Sequence, residues 1–149
     1  MKKAVIFLLA LVAHASIFGQ DWQLVGFPSA AMPVEQDLYI DPATGELYVA
    51  FIHGGTHRTT VQKWVNDTWQ TVGDVNFGVG DSQDFVKLAC FNGEAYAAIN
   101  YTLGGSHYIR VYQLVSGVWT AMGNQGYQTN PDDNFSLEIG IDGTVYLMF

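Results

Sequence analysis

Two histidines stand at matching places in the chain and are the first residues to consider for chemistry. His57 follows Gly54-Gly55-Thr56, and His107 follows Gly104-Gly105-Ser106. A repeated histidine can ligate a metal ion or act as a pH-sensitive contact, although a polar loop residue that caps a turn is the more common case. We keep both as candidate ligand-binding residues, and the sequence predicts no metal or other cofactor.

Three tyrosines on the same face of the predicted fold, in or beside its long loops, are further candidates. The face of an aromatic ring can stack on the apolar face of a sugar, which makes Tyr101, Tyr108 and Tyr127 candidate ligand-binding residues. The alternative is packing between structural units, because Tyr127 stands 50 residues after Phe77 in an otherwise similar segment. The acidic residues of these loops follow no Asp-x-Asp-x-Asp-Gly pattern, so solvated carboxylates are favoured over a calcium site.

No catalytic motif occurs in the sequence. It lacks a Gly-x-Ser-x-Gly elbow, a His-Glu-x-x-His pair, a phosphate-binding Gly-Lys-Ser/Thr loop and a Cys-x-x-Cys pair. Glu46 and Glu94 occupy equivalent turns, which favours solvated turn residues over an acid and base pair. We therefore predict a protein that is not an enzyme.

The sequence segments that must position these residues form a repeat. The phrases Trp22-Gln-Leu-Val-Gly26, Trp69-Gln-Thr-Val-Gly73 and Trp119-Thr-Ala-Met-Gly123 are 47 and then 50 residues apart. Gly45, Gly93 and Gly143 each precede a tyrosine by three residues: Tyr48, Tyr96 and Tyr146. A fixed period near 50 residues is typical of stacked repeat architectures, and we interpret these markers, including Gly73 and Gly123, as structural.

Each period divides into short apolar strands separated by turn residues. The segment 36–73 predicts four strands, and 84–123 repeats their order around the turns Asn92-Gly93 and Ser116-Gly117. The segment 134–149 contains only the first two strands, and 21–26 only the last. Four-stranded antiparallel units of 40–50 residues are blades of a β-propeller. The predicted fold is therefore all-β, with propeller blades of period about 48–50: two full blades and partial strands at both ends.

The repeat resembles a family of secreted bacterial β-propeller proteins, often arrayed at the cell surface. Asp41-Pro-Ala-Thr-Gly45, Tyr48-Val-Ala-Phe51, Trp69–Gly73 with Phe77, and Trp119–Gly123 with Gly126-Tyr127 are similar to that family's blades. The pairs Gly54-Gly55 and Gly104-Gly105 are distantly similar to kelch repeats, which place the pair earlier. This resemblance spans nearly all of 21–149 and implies an architecture only.

The single strand at 21–26 raises the question of how the propeller closes. Closed propellers hold 4–8 blades, and these segments supply fewer than three. We expect the missing blades to come from a longer chain or from self-association; an open stack that is stable alone is the third possibility.

The N-terminal 19 residues predict a signal peptide, and 20–149 the partial propeller. Two lysines precede the apolar run from Ala4 to Ala13, which is too short to span a bilayer. Cleavage after Ala15 or beside Gln20 would leave four basic residues against 14 acidic ones. Such a surface repels nucleic acid and anionic membranes, so we predict a secreted or cell-surface protein without membrane insertion after signal removal. Cys90 is the only cysteine, which excludes an internal disulfide, and its apolar strand predicts a core position.

The loops divide into two sets. The turns between strands 1 and 2 and between strands 3 and 4 are short. The loops at the opposite end, which include predicted loops at 101–106 and 124–133, are long, and function collects in long loops on a rigid scaffold. The sequence predicts a noncatalytic binding or display module with a glycan or protein ligand on the long-loop face. The alternatives are a fragment of a propeller enzyme, a hydrolase or lyase acting on polysaccharide, and a purely structural spacer.

Overall fold

The computed structural model describes residues 33–123, 126–130 and 134–149, which form eleven β-strands in antiparallel sheets. The prediction of an all-β fold is confirmed: these residues include no helix, and therefore none that could cross a membrane. No sheet closes on itself within these ranges. The predicted signal peptide and the predicted strand 21–26, with Trp22, lie outside the described residues.

The first sheet, sheet A, is a four-stranded meander in which each strand pairs with the next along the chain. Its strands are β1 (Pro33–Ile40), β2 (Leu47–His53), β3 (Thr59–Val65) and β4 (Thr68–Thr71). The central strand Leu47-Tyr-Val-Ala-Phe-Ile is rich in β-branched and aromatic residues, and its middle residues are buried on both faces.

Sheet B repeats this meander with one addition, and sheet C contains two strands. Sheet B is built from β5 (Ser82–Phe91), β6 (Glu94–Leu103), β7 (Ser106–Val115), β8 (Val118–Ala121) and β9 (Tyr127–Thr129). Sheet C is built from β10 (Ser136–Ile139) and β11 (Val145–Met148). Both β8 and β9 pair with β7, at opposite ends of that long strand.

Tight turns fix the hairpins. Both residues have a positive φ in the two-residue turns Asn66-Asp67, Asn92-Gly93, Gly104-Gly105 and Ser116-Gly117. Turns of this kind match the right-handed twist of the flanking strands, and asparagine and glycine reach positive φ at low cost. The register repeats as a result: Tyr48, Tyr96 and Tyr146 face Tyr39, Ala89 and Glu138 at the same level of their sheets.

The three sheets pack face to face in chain order, with sheet B in the middle. One cluster, between sheets A and B, includes Ala50, Val61, Leu88, Cys90 and Ile99. The other, between sheets B and C, includes Ala89, Tyr96, Ala98, Phe135 and Leu137. Successive side chains along the strands of sheet B point to opposite faces, so one face is buried against sheet A and the other against sheet C.

Two expectations about loops were wrong. The loop predicted at 101–106 is strand, because β6 continues to Leu103 and turns back at once through Gly104-Gly105. The segment predicted as a loop at 124–133 contains β9, whose Tyr127 pairs with Ile109. Both errors have one cause. The glycines and polar residues in these segments predicted irregular loops, but cross-strand pairing with the long strand β7 holds the backbone extended.

Candidate functional site

The interface between sheets A and B shows how one repeat packs on the next. The indole of Trp119 in β8 lies on Gly73, and its Nε1–H donates a hydrogen bond of 2.9 Å to the carbonyl of Val72. The same ring stacks on Phe77 with centroids 4.5 Å apart and planes 5° from parallel. A Cβ added to Gly73 would lie 2.7 Å from Trp119 Nε1. The tryptophan of one phrase thus packs on the valine and glycine of the preceding phrase.

A buried glutamine completes that interface at the long-loop end. The Gln83 side chain is fully buried. Its Oε1 accepts hydrogen bonds from the Thr59 N–H (2.6 Å) and hydroxyl (2.8 Å), and its Nε2 donates to the Phe77 carbonyl (2.9 Å). Because buried amide groups need partners, Gln83 ties β5 of sheet B to the outer part of sheet A.

The interface between sheets B and C is open at the corresponding position. A groove of about 500 Å³ lies between the outer strands of sheet B and strand β11. It is lined mainly by apolar residues, including Val111, Met122, Gly123, Tyr127 and Phe149. Tyr127 is 63% exposed. A Cβ added to Gly123 would have no atom of the described residues outside its chain neighbours within 4 Å.

Polar side chains lie above the apolar part of this second interface. Across sheet B, Thr102 pairs with Ser82 on one side and with His107 on the other, and His107 pairs in turn with Thr129. The Thr102 hydroxyl donates to Asp84 Oδ2 at 3.2 Å and lies 3.3 Å from His107 Nδ1. His107 Nδ1 is 4.0 Å from the same carboxylate oxygen. These contacts fix the imidazole at the long-loop end of the sheet.

The next level of the same face carries a buried asparagine. Asn100 is two residues before Thr102 on β6 and has no exposed surface. Neither its Oδ1 nor its Nδ2 has a hydrogen-bond partner among the described residues, and the same holds for the Thr129 hydroxyl. An unpaired buried amide costs about 1–3 kcal/mol, so this arrangement needs an explanation. We refer to Asp84, Asn100, Thr102, His107 and Thr129 as the polar cluster.

The two candidate histidines have different environments. His57 is exposed and has a positive φ of 50°, and its backbone N–H and C=O are bonded to His53 and Gln83. His107 lies in β7, and its side chain is 23% exposed. The structure therefore brings His107 into the polar cluster, and it places His57 on a separate loop of sheet A.

The three candidate tyrosines are also separated. Tyr101 is 4% exposed, and its ring stacks on Tyr108 at 5.6 Å. Burial raises the pKa of its hydroxyl, although the charge of Arg110 lowers it. Tyr101 has no ring face open to a sugar, Tyr108 is half-buried against it, and Tyr127 lines the groove.

The short-turn end holds the structural tyrosines in polar contacts. Tyr48 donates to Glu46, which also binds Lys63, and the equivalent Tyr96 donates to Glu94, which also accepts from Gln113. The hydrogen bond from Lys63 is the main cause that lowers the pKa of Glu46. Glu46 and Glu94 thus occupy equivalent structural contacts. Tyr146 is 57% exposed beside the groove.

A carboxylate connects sheets A and B at this end. Asp41 is buried and accepts hydrogen bonds from the Ala43 N–H, the Thr44 hydroxyl and, in sheet B, the Gly93 N–H at 2.8 Å. Burial alone would raise the pKa of Asp41, but these hydrogen bonds outweigh it and hold the pKa below the usual value of 3.8.

The first strands of the three sheets line one shared groove of about 280 Å³. Asp37 of β1 binds the Leu88 N–H at 2.8 Å and lies 3.8 Å from Lys87 Nζ, both in β5, and Leu137 and Glu138 of β10 form the third wall. Strands β1, β5 and β10 are therefore the elements at which the three sheets converge.

Asn100, Thr129 and Gln83 are polar residues that sequence reasoning missed. A usable signal for Asn100 was present: it continues the inward alternation of Tyr96 and Ala98 on an otherwise apolar strand, where a polar residue is unexpected. No such signal existed for Thr129, since β9 was not predicted.

No group of three or more histidine, cysteine, aspartate or glutamate side chains is arranged to hold a metal ion in 33–123, 126–130 and 134–149. Comparison with protein-family models and with curated proteins gave no match.

Proposed function

We propose that this chain is a noncatalytic binding module on a propeller-type scaffold and that its polar cluster takes a neutral glycan. Three features support the scaffold: the repeated register of the sheets, their face-to-face order along the chain, and the convergence of their first strands on one groove. The predicted signal peptide makes an extracellular location the natural setting for such a ligand.

The observation that carries the glycan proposal is Asn100. Its amide offers one acceptor and two donor hydrogens, and a sugar hydroxyl can both donate and accept. Thr129 offers a second hydroxyl without a described partner, and His107 and Thr102 lie at the partly exposed rim of the same face. Ligand sites use a few converging polar groups of this kind to fix orientation.

Charge favours a neutral ligand over an acidic one. The chain carries 14 acidic residues against 6 basic ones, and Asp84 lies within the polar cluster. A polyanionic ligand would be repelled, whereas a neutral glycan uses hydrogen bonds that depend little on net charge.

The test is a glycan array probed with the purified chain, followed by calorimetric titration of each glycan that binds. We expect binding of neutral glycans that is lost in His107→Ala. The matched control is His57→Ala, which removes the exposed histidine of the equivalent sequence position and should leave the affinity unchanged.

A second variant separates loss of the site from loss of the fold. Asn100→Leu keeps the number and branching of the side-chain heavy atoms and removes a buried amide without described partners, so it should abolish glycan binding while thermal unfolding shows an intact protein. Equal glycan affinity in Asn100→Leu and the wild type, or an array without any neutral glycan bound, would overturn the proposal.

A further inference from the structure

The groove beside β11 matches, position by position, a site that is filled elsewhere in the same molecule. At the interface of sheets A and B, Trp119 covers the surface formed by Val61, Val72, Gly73 and Phe77. The equivalent residues in sheet B, each 50 positions later, are Val111, Met122, Gly123 and Tyr127, and all four line the groove.

The backbone at the two sites is equivalent too. The Val72 N–H donates to the Val61 carbonyl, and the Met122 N–H donates to the Val111 carbonyl, both at 2.9 Å. Phe77 pairs with Thr59, and Tyr127 pairs with Ile109, in each case antiparallel to the third strand of the sheet. Gly73 and Gly123 have φ values of 72° and 69°. The groove therefore has the same backbone geometry as the surface on which Trp119 packs.

The chain itself contains a matching strand sequence. Trp22-Gln-Leu-Val-Gly26 differs from Trp69-Gln-Thr-Val-Gly73 at one residue of five. We propose that the groove binds Trp22 of a second copy of this chain, with the indole on Gly123 and its Nε1–H directed at the Met122 carbonyl. This contact would reproduce that of Trp119 with Val72 and Gly73.

The direction of the repeat selects a second copy as the occupant. At the filled site, the tryptophan belongs to the later sheet and the glycine to the earlier one. The Trp22 phrase precedes sheet A, whereas the groove lies after sheet B on the face toward sheet C. Within the open stack of sheets A, B and C, Trp22 follows the groove when sheet A of one copy is placed after sheet C of another. Such a head-to-tail contact is heterologous and produces rings or filaments.

Sedimentation velocity of the purified chain over a range of concentrations tests this contact. We expect assemblies larger than a monomer, and Trp22→Ala should weaken their association by roughly 30-fold or more, because a docked tryptophan is a typical hot spot. Gly123→Asn should do the same from the other side, since asparagine tolerates positive φ but fills the groove.

Complementation makes the test specific. Trp22→Ala keeps an intact groove and Gly123→Asn keeps an intact Trp22, so mixing the two monomeric variants should produce a one-to-one dimer through the single remaining contact. Gly117→Asn is the matched control, because Gly117 also has a positive φ and lies in a turn away from the groove; this variant should assemble like the wild type.

Three outcomes would overturn the proposal. A wild-type chain that is monomeric at every concentration would mean that the groove is empty or takes another occupant. Assembly that survives Gly123→Asn would place the contact elsewhere. A mixture of the two variants that stays monomeric, with both folded by circular dichroism, would exclude the pairing of Trp22 with this groove.

Discussion

Sheet B presents one face to sheet A and the other to sheet C, and the two interfaces differ although the repeat that builds them is the same. Toward sheet A, Trp119 fills the space over Gly73, and Gln83 satisfies the polar groups at the long-loop end. Toward sheet C, Gly123 faces a groove, and Asn100 lacks partners among the described residues at the corresponding end.

This difference shows where a repeat protein has room for function. At the first interface the repeated tryptophan, valine, glycine and phenylalanine positions pack together, and a ligand would have to displace stacked aromatic rings. At the second interface the positions keep their register, but the groove over Gly123 is open and the buried Asn100 amide lacks partners among the described residues. Both of our proposals, the glycan and the second copy, concern this second interface.

Removing Trp119 should have the largest effect, because it destroys the complete interface. Truncation of a buried tryptophan costs roughly 3–5 kcal/mol, and Trp119 is 7% exposed and also provides the hydrogen bond to Val72. We expect Trp119→Ala to lower the free energy of unfolding by about that amount, measured by urea denaturation. Trp64→Ala is the control: Trp64 is less buried and lies outside this interface, so a loss as large as that of Trp119→Ala would contradict the comparison.

Replacing the two buried amides by leucine should give opposite results. Gln83→Leu leaves the Thr59 N–H and the Phe77 carbonyl unpaired, which should cost roughly 2–4 kcal/mol. Asn100→Leu removes an amide that has no described partner, so the stability should stay the same or rise by up to about 2 kcal/mol. Thermal unfolding without added glycan measures both, and a destabilised Asn100→Leu would mean that the Asn100 amide is already satisfied.

Much of the fold could be predicted from the sequence because the fold depends on short sequence patterns that act locally. The turn pairs, the apolar runs and the tryptophan phrases repeat at a fixed period, and each acts on neighbouring strands. The division into sheets A, B and C follows from such signals, as does the burial of Tyr48, Tyr96 and Cys90.

The candidate site could be predicted only in small part. His107 and Tyr127 were among the candidates, but His57 and Tyr101 could not be distinguished from them by sequence alone. What separates them is the extension of β6 and β7 by cross-strand pairing, which places His107 between Thr102 and Thr129. Pairing between distant segments depends on the whole sheet, and single residues carry little sign of it.

The two glycines of the tryptophan phrase provide a matched pair. Alanine at either position must adopt a left-handed backbone, which costs about 1–2 kcal/mol. Gly73→Ala should cost roughly 1–3 kcal/mol more than Gly123→Ala, because only the first forces atoms against Trp119. Unfolding of both variants at low protein concentration, where the proposed assembly is dissociated, measures this difference; equal losses would mean that the Gly73 contact relaxes without cost.

Acid should weaken the interface of sheets A and B through Asp41. Its pKa is lower in the folded protein than the usual 3.8, so its contribution is complete above that value and is lost as the pH falls through the folded pKa. We expect Asp41→Asn to cost about 1.5 kcal/mol at pH 7, with a difference from the wild type that shrinks as the pH falls below about 4 and through the folded pKa. Asp142→Asn is the control, because Asp142 accepts a hydrogen bond from the Thr144 N–H in its own turn and connects no two sheets among the described residues. An equal loss in this variant would mean that the effect comes from the turn and not from the contact between sheets.

The opening of the two interfaces can be measured separately without any substitution. Labelling of Cys90 reports on the interface between sheets A and B, and amide exchange in β10 and β11 reports on the interface between sheets B and C. The thiol is buried between sheets A and B, and burial raises its pKa to about 12. Labelling with a thiol reagent at pH 8 should therefore be much slower than in the unfolded chain, since burial hinders the reagent and the raised pKa lowers the thiolate population. If the second interface opens first, low urea concentrations should detach sheet C, seen as faster amide exchange in β10 and β11, while Cys90 stays protected. If thiol labelling rises together with amide exchange in β11, the two interfaces open as one unit. The two interfaces would then differ in how fully their space is filled and not in their stability.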